Sequence, residues 1–391
     1  MAKLMKIDTE NRVCECCGND VLESLWVNKY NKQRTKSGIW CLPANNVMCT
    51  KCGFVFVSPV ATAATLDEYY KDSYVHFGGS TMDFEPETRK KALEKVLDKT
   101  RKKLSKESSF VEIGCNAHTQ FHESIREYFD SIITVEVNSA VDSDYKSIFD
   151  LPKGKIDVAA HYFVLEHIPD PRAFLLQCYE VLKKEGILIV EVPDLMLYEQ
   201  YPASLSLSEH VNHFSRETLN LFCENIGFAT VEGEWPCSRG FGFTAVYMKT
   251  ENKSSSNRAQ NIVESNRNCI KKASEKVELF ELKMTEAFEQ MSAICKRGGK
   301  VTLWCANDNL MRFVNGRLLP KEGIEIVDAD PCKCDFIEAR KTVMPMQLEQ
   351  HIKNSELLIV FSELNKKAIL EYISKAFNKS FSASEIIVLA Q

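Results

Sequence analysis

The chain has 391 residues, 45% of them hydrophobic and 26% charged, with a formal net charge of −5, long enough for two or three cores at roughly 100–200 residues per domain. That mildly acidic balance lacks the broad basic face that phosphate backbones attract, so nucleic acid is not the expected partner. No stretch approaches the ~20 apolar residues of a membrane span and the opening MAKLMKIDTENR lacks a signal-peptide core, so no membrane association and a cytoplasmic location are expected.

Six of the fifteen cysteines fall within the first 52 residues. In a cytoplasmic chain they read as thiols and metal ligands rather than disulfides. Cys14-x2-Cys17 and Cys49-x2-Cys52 form two knuckles separated by 31 residues, each followed by a glycine, Gly18 or Gly53. Each such turn aims two sulfurs at one point, and two turns make a tetrahedral four-thiolate zinc site with no open position, hence a structural one. Cys16 and Cys41 could replace a ligand, but the doubled spacing favours the other four. This ribbon is expected over residues 1–66, where a metal would staple a region too small to hold a core alone. Residues 1–60 carry 8 Lys and Arg against 5 Asp and Glu, a thin surplus for gripping RNA.

Residues 67–249 alternate helical and strand patterns: the charged helix ETRKKALEKVLDKTRKKL, the strands SFVEIGC, SIITVEV and IDVAAHYFVL, the helix DPRAFLLQCYEVLKK and the strand GILIVEVPD. Apolar β-rich runs between amphipathic helices predict a parallel sheet covered on both faces. Residues 250–296 read as a polar linker followed by a long amphipathic helix. Residues 297–391 hold four more strand candidates, GGKVTLWCA, GIEIVDAD, ELLIVFS and SEIIVLA, with helical spacers. The fold class is therefore α/β: a four-cysteine ribbon, a Rossmann-like domain, and a second, smaller Rossmann-like C-terminal domain.

The middle region resembles class I S-adenosylmethionine-dependent methyltransferases. Glu112-x-Gly114-x-Asn116 is similar to their E-x-G-x-N-x-G motif, with Ala117 and His118 standing where an acid and the last glycine are expected. Glu136, 24 residues after Glu112, stands where an acid accepts both ribose hydroxyls. Asp150-Leu151-Pro152 resembles the acidic loop beside the adenine amine, and Tyr69-Tyr70-x3-Tyr74 resembles the YYxxxY segment that closes over the cofactor in zinc-ribbon methyltransferases. The resemblance implies S-adenosylmethionine as cofactor, held by Tyr70, Tyr74, Glu112, Gly114, Asn116, Glu136, Asp150 and Phe163.

The segment SLSEHVNHFSRETLNLFCENIGF (206–228) resembles the E-H-x-x-Y-F-S segment of nucleotide-sugar C-methyltransferases, which share the ribbon and the C-terminal domain. That likeness implies His210 as the base that removes a proton beside a ketone, with Glu209 orienting it. Leu207 and His213 replace the family's two tyrosines, and Arg239-Gly240-Phe241-Gly242-Phe243 departs from its Gly-Gly-Ser-x-Arg segment. His167, in LEHIPDP, is expected to cap a strand end, and His118, His122 and His161 to serve local structure. Cys305-Ala306-Asn307-Asp308-Asn309 replaces a Gly-rich turn, so the C-terminal domain reads as a degenerate substrate-recognition or dimerisation module. The expectation is a methyltransferase acting on a nucleotide-linked sugar or related polar metabolite, at carbon or oxygen. The alternatives are an RNA-modifying enzyme whose ribbon grips RNA, and a non-catalytic cofactor-binding scaffold. The acceptor and the oligomeric state are left open.

Overall fold

The computed structural model describes residues 3–34, 37–73, 86–101, 104, 107–115, 119–138, 141–250, 259–314, 317–329 and 342–390. Of the expected cofactor residues, Tyr74 and Asn116 lie outside these, as do Ala117 and His118. The chain divides into two compact units: Lys6–Asn31 with Cys41–Ser274, and Glu275–Gln391 with Met1–Met5 and Lys32–Trp40. Among the described residues no helix is long and apolar enough to cross a membrane.

The larger unit is built on a six-stranded sheet in the order Phe228–Thr230, Gly242–Lys249, Leu182–Pro193, Ile156–Tyr162, Ser109–Ile113, Ser131–Val135. The last four run parallel, while Gly242–Lys249 pairs antiparallel with both of its neighbours. Ser109–Ile113 and Ile156–Tyr162 are buried at every position, as their unbroken apolar runs require of strands covered on both faces. One core lies around Phe110, Phe121, Phe129, Val158, Ala160 and Ile189. The other joins Leu175, Val190, Leu219, Phe222 and Tyr247 to cysteine-knuckle residues such as Phe54 and Phe56.

Boundaries follow local chemistry. Asp170 accepts the N–H of Ala173 and Pro171 supplies the first turn of the helix Pro171–Val181, a preferred start. The sequence pattern carries that helix through Lys184, but the strand begins at Leu182, whose fully buried side chain and pairing opposite Ile156 draw it into the sheet. Ser109–Ile113 comes first in the chain, and the next two strands add on opposite sides of it. The order therefore reverses between Ser109–Ile113 and Ile156–Tyr162, which places a ligand crevice at their carboxyl ends.

A second sheet in this unit runs Leu22–Val27, Asn45–Cys49, Val55–Val57, Asn212–His213. Its last strand comes from far along the sequence: Asn212 pairs with Phe56 and His213 with Val55.

The smaller unit holds a five-stranded sheet, Thr342–Val343, Ile324–Val327, Lys300–Trp304, Ser355–Val360, Ile386–Val388, with every pairing parallel. Four of these strands stand where the apolar runs predict them, and Thr342–Val343 is too short to leave a pattern. The end of Lys300–Trp304 turns through Cys305 at φ +75°, a conformation glycine adopts more easily. Asp328 accepts the N–H of Ala306 (2.8 Å) and Asn307 donates to the carbonyl of Phe361 (2.7 Å). The turn's polar groups thus serve the fold itself.

Candidate active site

Gly114 ends the strand Ser109–Ile113 at φ +75°, and its N–H bonds the carbonyl of Val135 (2.8 Å). A Cβ there would lie 2.5 Å from Val164 Cγ2. Only glycine combines that backbone with so close an approach across the crevice. Glu136, buried just past Ser131–Val135, accepts the N–H of Asn138 on Oε1 (2.9 Å), which fixes its carboxylate at the strand end. Asp150 closes the short helical turn Ile148–Asp150 and is exposed. Phe163 follows Ile156–Tyr162 at φ +57°, its N–H on the carbonyl of Glu191 (2.8 Å) and Arg239 stacked on its ring 4.6 Å from the centroid. A left-handed non-glycine residue at a strand end over a crevice is costly backbone of the kind that gathers at ligand sites.

Glu112 is engaged by the protein's own groups. Its Oε2 lies 2.8 Å from His122 Nε2 and its Oε1 3.4 Å from Arg89, which stacks over Tyr162. His122 Nδ1 accepts the N–H of Thr119 (3.0 Å), so the ring proton sits on Nε2, 2.8 Å from the Glu112 carboxylate. His122 therefore serves local structure, and Glu112 is a buried anchor for two elements.

His210 and Glu209 reach the same end of the sheet because the second sheet carries them there. Val57 N–H bonds Val211 O (2.9 Å) and Arg12 binds Val211 O (3.2 Å) and Asn212 Oδ1 (2.8 Å). Asn28 donates to Ser206 O (2.9 Å), and His213 Nε2 meets Asn46 Oδ1 (2.8 Å). From the parallel sheet, Val211 N–H bonds Glu166 O (2.8 Å) and Asn212 Nδ2 donates to Leu165 O (3.0 Å) and Ile168 O (2.7 Å). The loop is thus clamped between two sheets that sequence separation alone gives no reason to join.

Within the clamp, His210 is buried and its Nδ1 donates to Ser204 O (2.8 Å), leaving the Nε2 lone pair available. His167 does the same through Glu209 O (3.1 Å). The two rings meet edge to face with centroids 4.9 Å apart. Burial pushes His167 down to about 4 and holds His210 well below the usual histidine value, with His167 and His213 adding to the effect on His210. Glu166 is 1% exposed and burial pushes its carboxyl up to about 8.

The carboxylate of Glu209 accepts the hydroxyl of Tyr69. The sequence reading takes Tyr70 from the tyrosine pair, yet the buried face of the helix Ala63–Ser73 is Thr65, Leu66 and Tyr69, with Tyr70 half-buried. Helical spacing from Leu66 points to Tyr69 at i+3, a signal the motif comparison bypasses. His167, expected from the sequence to cap a strand end, also lies against His210. Glu166 and Arg239 leave no signal, because only the clamp brings them near. A small cleft lined by Asn28, Asn46, Ser208 and His210 opens beside the loop.

The four cysteines come together. Sγ separations are 3.4 Å for Cys14–Cys52, 3.7 Å for Cys14–Cys17 and 3.6 Å for Cys17–Cys49. A tetrahedron with Zn–S of about 2.3 Å has an edge of about 3.8 Å, so the donor set fits zinc. The N–H groups of Gly18 and Gly53 close each knuckle on the carbonyls of Cys14 and Cys49.

A parallel sheet with a crevice at its switch point, a glycine turn and an acid on the next strand is the frame of a nucleotide-cofactor enzyme. Residues 86–232 match the family model described as a methyltransferase domain. That stretch of the chain therefore matches a methyltransferase domain, and methyl transfer is the class of chemistry the match defines. No curated protein matches the chain. Among solved structures it is similar to the Burkholderia thailandensis 1,6-didemethyltoxoflavin-N1-methyltransferase with bound S-adenosylhomocysteine, at 14% identity and TM-score 0.38 over 51% of this chain and 96% of that one. A possible histamine N-methyltransferase from Thermotoga maritima gives 19% identity and TM-score 0.32 over 47% and 96%. The complex of the Haloferax volcanii Trm112 activator with a methyltransferase gives 12% and 0.34 over 48% and 94%. Likenesses at this level carry no argument about the acceptor.

Proposed function

We propose that this chain methylates a small polar metabolite of the nucleotide-linked sugar class, with His210 as the base on the acceptor side and a structural zinc held by Cys14, Cys17, Cys49 and Cys52. The observation that carries the reading is the state of the His210 ring: its Nδ1 proton is committed to Ser204 O, and its lone pair is on Nε2 in a buried site beside His167. The cofactor, when bound, supplies an electrophilic methyl group on a sulfonium. Glu136 would accept the ribose hydroxyls, the Gly114 turn would admit the methionine part closely, and Asp150, Phe163 and Tyr70 would frame the adenosine; Tyr74 and Asn116 belong to the same proposal. Glu112 would act by bracing the turn through His122 and Arg89.

On the acceptor side, Nε2 of His210 takes the proton from the carbon beside a ketone or from a hydroxyl, and the Ser204 carbonyl stabilises the resulting imidazolium through Nδ1–H. Glu209, fixed by Tyr69, sets the loop that carries the ring. Replacing His210 by Asn should lower turnover by roughly two to four orders of magnitude and leave S-adenosylhomocysteine affinity within about twofold. A carbon-methylating enzyme should also exchange the proton beside the ketone with solvent deuterium when no methyl donor is present. Because burial lowers the histidine's value, the acid limb of turnover should lie below pH 6.5. Full turnover by His210→Asn would overturn the base role, and lost turnover without exchange would assign the methyl group to oxygen.

A further inference from the structure

We infer that Glu166, His167 and His210 form a second metal site, distinct from the four-cysteine cluster, that takes one divalent transition ion through two imidazole nitrogens and a carboxylate. One ligand atom from each of the three side chains lies within 4.8 Å of the other two, and His167 Nε2 stands 3.8 Å from Glu166 Oε1. Ligand atoms about 2.1 Å from a common ion lie about 3–3.4 Å apart, so side-chain rotations of an ångström or so would close the site.

Three independent features point to a cation. Both rings donate Nδ1–H to main-chain carbonyls, of Glu209 for His167 and of Ser204 for His210. That is the support metal-bound histidines need, since it sets the tautomer and leaves Nε2 as the donor. Glu166 is 1% exposed, and its Oε2 has no hydrogen-bond partner among the described residues. A buried carboxylate oxygen left in that state is costly unless a cation or a proton meets it. Third, the three residues belong to two segments locked together by Val211 N–H on Glu166 O and by Asn212 on Leu165 O and Ile168 O. The backbone segments that carry the donors are therefore fixed together before any ion arrives.

Two nitrogens and one oxygen suit zinc, cobalt, iron or manganese far better than magnesium or calcium, which prefer oxygen alone. Arg239, half-buried nearby, lowers both histidines and the Glu166 carboxyl through its charge. It favours the ionised carboxylate and opposes weakly held ions. Three protein ligands leave open positions, as in catalytic metal sites, where an acceptor oxygen could coordinate and lose its proton more easily.

This inference rests on the acceptor-side reading of His210 and refines it, because an ion would occupy the lone pair that a base uses. The metal-loaded protein would activate an acceptor oxygen by coordination, and the metal-free protein would use the imidazole. The test is a titration of the full chain with Co2+ after its cysteine cluster is filled with zinc, followed by visible absorption. N/O-ligated cobalt gives weak d–d bands, distinguishable from intense thiolate-to-cobalt bands. Wild type should bind one equivalent of N/O type, and Glu166→Gln and His167→Gln should bind it at least about tenfold more weakly while keeping the wild-type circular dichroism. Absence of the N/O bands in wild type at saturating Co2+ overturns the site, as does equal binding by wild type and either folded variant. The deuterium-exchange assay on protein with its cysteine cluster filled with zinc separates the two readings: exchange by a wild type that shows no N/O cobalt bands leaves the base and removes the ion.

Discussion

The two sides of the candidate active site are built in opposite ways. The cofactor side is made of consecutive strand ends of one parallel sheet, Gly114, Glu136 and Phe163, each fixed by a backbone contact close in sequence or across one strand pair. The acceptor side is made by a loop whose geometry depends on a second sheet nucleated by the cysteine knuckles, through Phe56–Asn212 and Val55–His213 pairing and Arg12. One side is local and repeats a general frame, while the other is assembled from segments 150 or more residues apart. The lesson is that binding and reaction should fail separately when each side is damaged.

The strongest way to break this comparison is at the knuckles. Cys49→Ser removes one of four thiolates, and with it the metal that such a site would hold. If the second sheet positions His210, turnover should drop by roughly a hundredfold, the loss expected from an ångström of misplacement. S-adenosylhomocysteine affinity should stay within about threefold by calorimetry, with metal content measured on the same sample. An equal loss of cofactor binding would show that the two sides are not separable.

The converse test is Glu136→Ala, which removes a charged acceptor worth roughly 1.5–3 kcal/mol, so cofactor affinity should fall about tenfold to a hundredfold. Metal content should be unchanged, as should donor-independent deuterium exchange. Equal affinity for wild type and variant in calorimetry would remove Glu136 from the cofactor site.

The smallest effect sharpens the comparison through pH. His161 and His213 are fully buried and held down to about 3, each chiefly by burial. Their depressed values make stability complete above the unfolded value of about 6.5 and lost as pH falls below it, at about 1.4 kcal/mol per unit for each group. Glu166, held up to about 8, has the opposite sign: its contribution is full below about 4.5 and lost as pH rises toward 8. Between pH 6.5 and 4.5 these two histidines, joined by His167 and His210, which burial also lowers, outweigh Glu166. Urea midpoints should therefore fall on acidification, and fall more steeply in Glu166→Gln, where the opposing group is gone. A midpoint flat across that range would contradict the burial of the two rings.

Much of the larger unit was legible in residue pattern alone. Continuous apolar runs such as SFVEI and IDVAAHY bury on both faces, and Asp170-Pro171 starts a helix wherever it stands, because these preferences are local. Paired Cys-x2-Cys turns announced a cluster, since each knuckle is closed by its own backbone. Beside the Tyr70 that the motif names, it is Tyr69 whose hydroxyl meets Glu209, a contact that the motif alone does not announce. What no spacing could supply was the neighbourhood of His210. Its contact with His167, the orphaned Glu166 oxygen beside them, and the Tyr69–Glu209 bond exist only because a two-residue strand at Asn212–His213 completes a sheet begun by Leu22–Val27. Pairing between segments so distant is decided by the packing of whole sheets, and a strand of two residues leaves too little pattern to predict it.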